Sequence, residues 1–308
     1  MASIPKGILK NQPSWVQIAA LLFLLVLFLI VGQFIALFIV EKAYQLNLRE
    51  MQDLLIFPQE KYIGALKLMQ FIITFFLFVV SAISFAWLLG EKDFLKICQK
   101  TGINSLILAC TVIVFSTPIV SVLGQLNAGM KLPIAFNKIE QFMKGSEKNV
   151  DQLVQLMLKV KQPWDLIVNL VVIALLPALG EELIFRACIQ QFMLRLFKNA
   201  HVAIIISAII FSAAHMQFYG FLPRFFLGVV LGYLFYWSGS IWLSVTAHFF
   251  NNAMVVIAYT YMGANNKWLN SDSPDIFNIW WIFFSVFLVS IGLYLIWNQN
   301  ETKSKLLR

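Results

Sequence analysis

Residues 165–192 read DLIVNLVVIALLPALGEELIFRACIQQF, and this stretch decides the fold. Fifteen uncharged residues, 166–180, lead into two adjacent glutamates, Glu181 and Glu182, with Arg186 four positions after the second. A run this long and apolar reads as a membrane-spanning helix. Placing a carboxylate in hydrocarbon costs roughly 2.5–3.5 kcal/mol on insertion scales, so ionisable residues inside such a run are read first as a functional site. Between Asp165 and Asp272 the two glutamates are the only acidic residues.

The rest of the chain has the same character. Of 308 residues, 60% are hydrophobic and 12% charged, with 29 Phe and 9 Trp, and the mean hydropathy is +0.80. No water-soluble fold requires that much apolar surface, so the fold class is all-α, a polytopic membrane protein. Eight spans are expected, at Trp15–Val40, Leu66–Leu89, Ile103–Leu126, Leu166–Arg186 with a helical extension, Val202–Tyr219, Phe221–Trp237, Ile241–Met262 and Ile276–Trp297. Only Gly220 separates the fifth from the sixth, which predicts a tight helical hairpin. An even number of spans puts both termini on one side. Lys and Arg are spread about evenly over the two faces, so the positive-inside rule does not decide orientation; the basic first and last segments favour a cytosolic N-terminus. The N-terminal apolar run of 26 residues exceeds the core of a cleavable signal, about 7–15 residues, and reads as a retained helix.

The net charge of +8 lies in loops and termini that flank the spans. That points to the lipid bilayer as partner and away from nucleic acid. Cys98, Cys110 and Cys188 have no metal-type spacing and read as packing residues, without a disulfide framework. In the long loop from Asn127 to Pro163, Val150, Leu153, Leu156, Met157 and Val160 recur at helical spacing. They define an amphipathic helix, lying at the headgroups or gating a lateral entrance. The expected organisation is an N-terminal membrane region with an interfacial loop (1–163), a core carrying the polar residues (164–262), and a last helix with a basic tail (263–308).

Three spans carry polar groups. Glu182 and Arg186 are i,i+4 neighbours that can pair and lower the cost of burying both, while Glu181 projects about 100° away and is free for another partner. Pro177 and Gly180 favour a local bend. In the fifth span Phe211 stands one turn before His215 and can wall its imidazole, with small residues at 212–214 allowing close helix approach. In the seventh, His248 and Asn252 share a face, with Asn251 displaced around the helix. Singly, each pattern also suits helices stapled by a polar pair. Together they suit hydrolysis, which needs a base, donors and a dry wall.

Glu181-Glu182-x-x-x-Arg186, Phe211-x-x-x-His215 and His248-x-x-x-Asn252, in this order, resemble the three-motif signature of the CAAX protease and bacteriocin-processing (CPBP, or Abi) family. The resemblance covers about residues 164–262 and implies an intramembrane endopeptidase acting on a membrane-associated protein or peptide, in the cell membrane of a bacterium. Family members of the eukaryotic branch remove the C-terminal tripeptide of prenylated proteins. Carried onto this chain, the resemblance makes Glu181 the base that activates water, assisted by His215. His248 and Asn252 would donate to the oxyanion, and Glu182 with Arg186 would hold the site together. The family is called metalloprotease, but an H-E-x-x-H zinc helix is absent here. Metal-free water activation is the favoured expectation; zinc held by Glu181, His215 and His248 is the alternative. Two other functions fit the sequence less well: a non-catalytic immunity or scaffold protein, and a proton-coupled transporter, against which the lack of paired broken helices in repeat halves counts. Oligomeric state is not legible.

Overall fold

In lipid every backbone polar group must be satisfied within its own segment, which restricts long apolar runs to helices. The computed structural model describes residues 6–56, 59–263 and 279–305, and every regular element among them is helical. Among the described residues, seven helices are long and apolar enough to cross a membrane. They are α1 (Ser14–Tyr44), α3 (Glu60–Leu89), α4 (Ile103–Ala128), α6 (Pro163–Phe197), α8 (Phe221–Ser238), α9 (Ile241–Met262) and α10 (Ile279–Lys305). Between them lie α2 (Leu48–Ile56), α5 (Asn137–Leu158) and α7 (Ala200–Ala214).

The helix α7 is the fifth expected span, and it is shorter than its hydropathy implied. It stops at Ala214, so a six-residue connection, 215–220, replaces the single-glycine hinge. The cause is local: Met216 takes a left-handed φ of 53°, ending the helix although the composition remains apolar through Tyr219. Fifteen residues rise about 22 Å, against a hydrocarbon core of about 30 Å, so α7 by itself is too short to span it. The other bounds shift modestly. The fourth span begins at Pro163 and runs to Phe197, the second begins at Glu60, and α2 was not anticipated. Residues 276–278 of the last expected span fall outside the described residues.

Contacts between connections sort the helix ends onto two faces. On one, the N-terminal turn meets the end of α3 (Gly7 N to Trp87 O, 3.3 Å; Leu9 N to Leu88 O, 3.0 Å). The α3–α4 loop on that face pairs Glu91 with Arg195 and accepts from Ser240 Oγ (2.7 Å) and Trp242 Nε1 (2.8 Å) through Gln99 O and Ile97 O. The opposite face carries α5. Its Leu153 and Leu156 pack on Tyr62, Ala65 and Leu66 of α3. Its Glu147 Oε2 accepts from Tyr219 N (3.4 Å), and its Glu140 Oε1 from Tyr219 Oη (3.5 Å). The amphipathic helix expected in the long loop is therefore present, lying across the connection that follows α7.

Two of the four apolar clusters among the described residues position the site. One joins α1, α3 and α6 through Leu24, Phe85, Ile184 and Phe192 and reaches Phe211 of α7. The other joins α4, α8, α9 and α10 through Ile113, Leu231, Leu243 and Val289. Lipid removes most of the hydrophobic drive between helices, so their association depends on close packing and interhelical hydrogen bonds. Cys98, Cys110 and Cys188 are free thiols, Cys188 fully buried. The polar residues gather at the seam between the two clusters.

Candidate active site

The glutamates lie in the middle of α6, between two stretches of π-helical backbone, Leu170–Leu175 and Leu183–Gln190. Pro177 has no N–H to give, and the wider π turn just before it is how the ladder accommodates that loss. Both π stretches change the register within one continuous helix, and such interruptions are where helices bend. Gly180 serves packing: a Cβ there would stand 2.7 Å from Phe78 Cβ, so only glycine lets α3 approach this close.

Glu182 and Arg186 are both fully buried and paired, Oε2 to Nε at 3.3 Å. The guanidinium donates from Nη2 to Gly228 O (3.3 Å) and lies 4.8 Å from the Phe211 ring centre. One turn on, Gln190 Nε2 donates to Gly232 O (3.0 Å). The G-x-x-x-G of α8 explains this reach. A Cβ on Gly228 would sit 3.1–3.2 Å from Ala208 and Phe211, so the bare backbone brings its carbonyls to α6 and α7. The small residues at 212–214 contribute less than expected. Ser212 bonds Phe221 O (2.7 Å), while Ala213 and Ala214 are exposed.

Glu182 also makes a contact the sequence did not suggest: its Oε1 accepts from His248 Nδ1 at 2.9 Å. A carboxylate already paired with arginine is an acceptor, so the His248 proton resides on Nδ1. His215 is fixed in the same sense, Nδ1 donating to Phe211 O at 2.9 Å. Phe211 packs edge-on against both imidazoles, 5.0 and 5.9 Å between ring centres. Both Nε2 atoms then point at Glu181. Its Oε2 is 3.9 Å from His215 Nε2 and 3.8 Å from His248 Nε2, and it is buried with no hydrogen-bond partner among the described residues. Three acceptors converging at this spacing leave room for a group that brings hydrogens, such as water donating to two of them.

A cavity of about 110 Å³ adjoins this point, lined by His215, His248, Asn251, Asn252 and Arg224 against Phe211, Ile113 and two leucines of α8. Asn251 is therefore not turned away, which corrects the expectation from its helical offset: the cavity wraps around α9 far enough to include it. Asn251 Nδ2 donates to Asn252 Oδ1 (3.3 Å), which leaves the Asn252 amide as a donor. The expected donor role of His248 is also altered, since with Nδ1–H committed to Glu182 its Nε2 donates only from a doubly protonated ring.

Arg224 escaped the sequence reading. It is the only Lys, Arg, Asp or Glu between Lys198 and Lys267, which was signal enough. Its Nη2 donates to Gln217 Oε1, and its Nη1 is buried without a hydrogen-bond partner among the described residues. His201, the remaining histidine, bonds Tyr233 Oη (2.6 Å) instead.

Among the described residues no group of three His, Cys, Asp or Glu side chains is assembled as a metal site. The closest approach is Glu181, His215 and His248, with the 3.8 and 3.9 Å separations given above. Ligands held tetrahedrally at 2.0–2.2 Å from zinc stand about 3.4 Å apart, so the three would have to close inward to hold it. They are the residues that would do so, each imidazole steadied by its Nδ1–H bond. Zinc there would act as a Lewis acid on bound water.

A helical membrane bundle that sets two oriented imidazoles and two carboxamides around one cavity, with a carboxylate beside it, has the makings of an intramembrane hydrolase. Residues 163–254 match the family model described as "Type II CAAX prenyl endopeptidase Rce1-like", so this stretch is an Rce1-like domain of the CAAX protease family. The match spans Glu181, Glu182, Arg186, His215, His248 and Asn252. No curated protein and no solved structure matches the chain.

Proposed function

We propose that this protein is an intramembrane endopeptidase hydrolysing a peptide bond of a membrane-associated protein or peptide, with Glu181 as general base and the catalytic core in residues 164–262. One observation carries the reading: the unpartnered Glu181 Oε2 stands 3.8–3.9 Å from the Nε2 atoms of two independently oriented histidines.

A water between Glu181 and His215 donates one hydrogen to each and directs a lone pair at the scissile carbonyl in the adjoining cavity. As the C–O bond forms, Glu181 takes the proton and negative charge develops on the carbonyl oxygen. Asn252 Nδ2 and the free Nη1 of Arg224 are the donors for that charge. Collapse breaks the C–N bond, and the proton on Glu181 passes to the leaving amine. Glu182 and Arg186 touch no reacting atom; they set the tautomer of His248 and fix α6 against α8.

Entry from the membrane is supported by a groove of about 520 Å³ between α4, α9 and α10. It shares Ile113 and Asn251 with the catalytic cavity and is otherwise largely apolar, with Val114, Val255 and Phe284 along it. A substrate's apolar portion can lie there while its peptide bond reaches Glu181.

The test compares the C-termini of membrane proteins in cells carrying the wild-type chain and Glu181→Gln. Truncated products restricted to the wild type support the reading. Identical C-termini with both chains present at equal levels would favour a non-catalytic scaffold.

A further inference from the structure

A second cavity, about 510 Å³, opens where the ends of α1, α3 and α6 meet on the face that carries α5. Its floor is Lys67, a membrane-helix residue only 5% exposed. The Lys67 ammonium has no hydrogen bond or ion pair to any described residue. The acidic group whose charge reaches it is Asp165. That carboxylate is committed elsewhere, its Oδ2 accepting from Lys161 N (2.7 Å) and Gln162 N (2.9 Å) at the start of α6. At the rim, Lys159 and Lys161 share a single carboxylate, each Nζ 2.9 Å from a different oxygen of Glu60. Three ammoniums thus face two carboxylates, one of them occupied in capping a helix. The Tyr44 ring lies across Gly64, and its hydroxyl borders the same cavity as a further donor.

The polar end is only half of the cavity. Phe71, one turn beyond Lys67, and Val168 and Val172, one and two turns beyond Asp165, continue it as an apolar wall. Lys67 lies about 10 Å along α3 from Glu60, deep enough that an unpaired ammonium is costly without an anion. A charged end and a hydrocarbon wall, aligned along the membrane normal, match one kind of molecule. We propose that this cavity binds an anionic phospholipid, its phosphate on Lys67 within reach of Lys159 and Lys161, and an acyl chain along Phe71, Val168 and Val172. Lys159 and Lys161 belong to the short connection between α5 and α6. The bound lipid therefore fixes the start of the helix that carries Glu181, and binding itself does not depend on the chain being a protease.

The full-length protein in phosphatidylcholine nanodiscs is titrated with a fluorescent phosphatidylglycerol, with inorganic phosphate as competitor. Binding should be saturable, weakened about tenfold or more by Lys67→Met, retained by Lys67→Arg, and unmoved by millimolar phosphate. Unchanged affinity in Lys67→Met overturns the proposal. Displacement by inorganic phosphate overturns the lipid assignment and leaves a free-anion site. If Lys67→Met fails to reach the membrane, the pair Lys159→Gln and Lys161→Gln, which leaves the buried helix intact, must weaken binding by about threefold. Binding that survives that pair undiminished also overturns it.

Discussion

Replacing Glu182 by glutamine separates the two glutamates most sharply. Glu182 and Arg186 are both 0% exposed, Oε2 faces the guanidinium at 3.3 Å, and Oε1 accepts from His248 Nδ1 at 2.9 Å. Glutamine fills the same volume and can keep one acceptor. Its amide N–H₂ must then face Arg186 or His248, and an arginine charge remains buried without its counter-ion. Breaking one partner of such a pair costs about 3–5 kcal/mol, a large share of a total stability of roughly 5–15 kcal/mol. Glu181→Gln removes a carboxylate that has no hydrogen-bond partner among the described residues, so its cost should stay within about 1 kcal/mol. Thermal unfolding of the purified variants, followed by size-exclusion fluorescence in one detergent, measures the difference. Glu182→Gln should melt lower than Glu181→Gln by on the order of 10 °C and accumulate less in membranes. Equal midpoints with full activity in Glu182→Gln would refute the assignment of Glu182 to holding the site.

Asn252→Ala should leave substrate affinity nearly unchanged and lower turnover by about a hundredfold to a thousandfold, because a carboxamide donor matters most for charge that develops in the transition state; steady-state kinetics that move KM instead contradict this role. Gly180→Ala places a Cβ 2.7 Å from Phe78 Cβ and should cost about 1–3 kcal/mol by forcing α3 from α6; in a thermal-shift assay the same change should cost less in a Phe78→Gly background, which removes that Cβ. Burial pushes the Glu147 carboxyl above its ordinary 4.5, and Asp151 adds to the rise, against the lowering effects of the Tyr219 N–H and Arg224. A raised group stabilises through its protonated form, so docking of α5 on the 215–220 connection is fully present below pH 4.5 and weakens as pH rises through the higher folded value. Limited proteolysis within α5 should accelerate over that rise in pH, and Glu147→Gln should flatten the dependence; an unchanged pH profile in the variant counts against it.

Much of this arrangement is legible in the sequence, because membrane helices and isolated intramembrane charges are composition signals. The long apolar runs locate the spans, and the i,i+4 spacing anticipates the Glu182–Arg186 pair that the fold buries at 3.3 Å. What was missed depends on backbone detail or on packing between distant helices. Hydropathy continues through Met216, Phe218 and Tyr219, so it could not register that Met216 turns left-handed and ends α7. The Glu182–His248 bond joins positions 66 residues apart and depends on how α6 lies against α9. Asn251 sits off the His248–Asn252 face, yet the cavity curves to meet it. Arg224 is different: its isolation in an apolar stretch was visible, and the G-x-x-x-G that follows it marked the close helix contact as well.

The central claim is that Glu181 activates a water for attack on a peptide bond. It is tested most directly by hydrolysis in ¹⁸O-labelled water, with purified protein in nanodiscs and a substrate recovered from the C-terminal comparison. After exhaustive chelation the wild type should still place ¹⁸O in the new C-terminal carboxylate at an undiminished rate, and Glu181→Gln should place none. Undiminished labelling by Glu181→Gln would contradict the claim. So would loss of labelling on chelation and recovery with stoichiometric zinc, which would make Glu181, His215 and His248 ligands and move the base elsewhere.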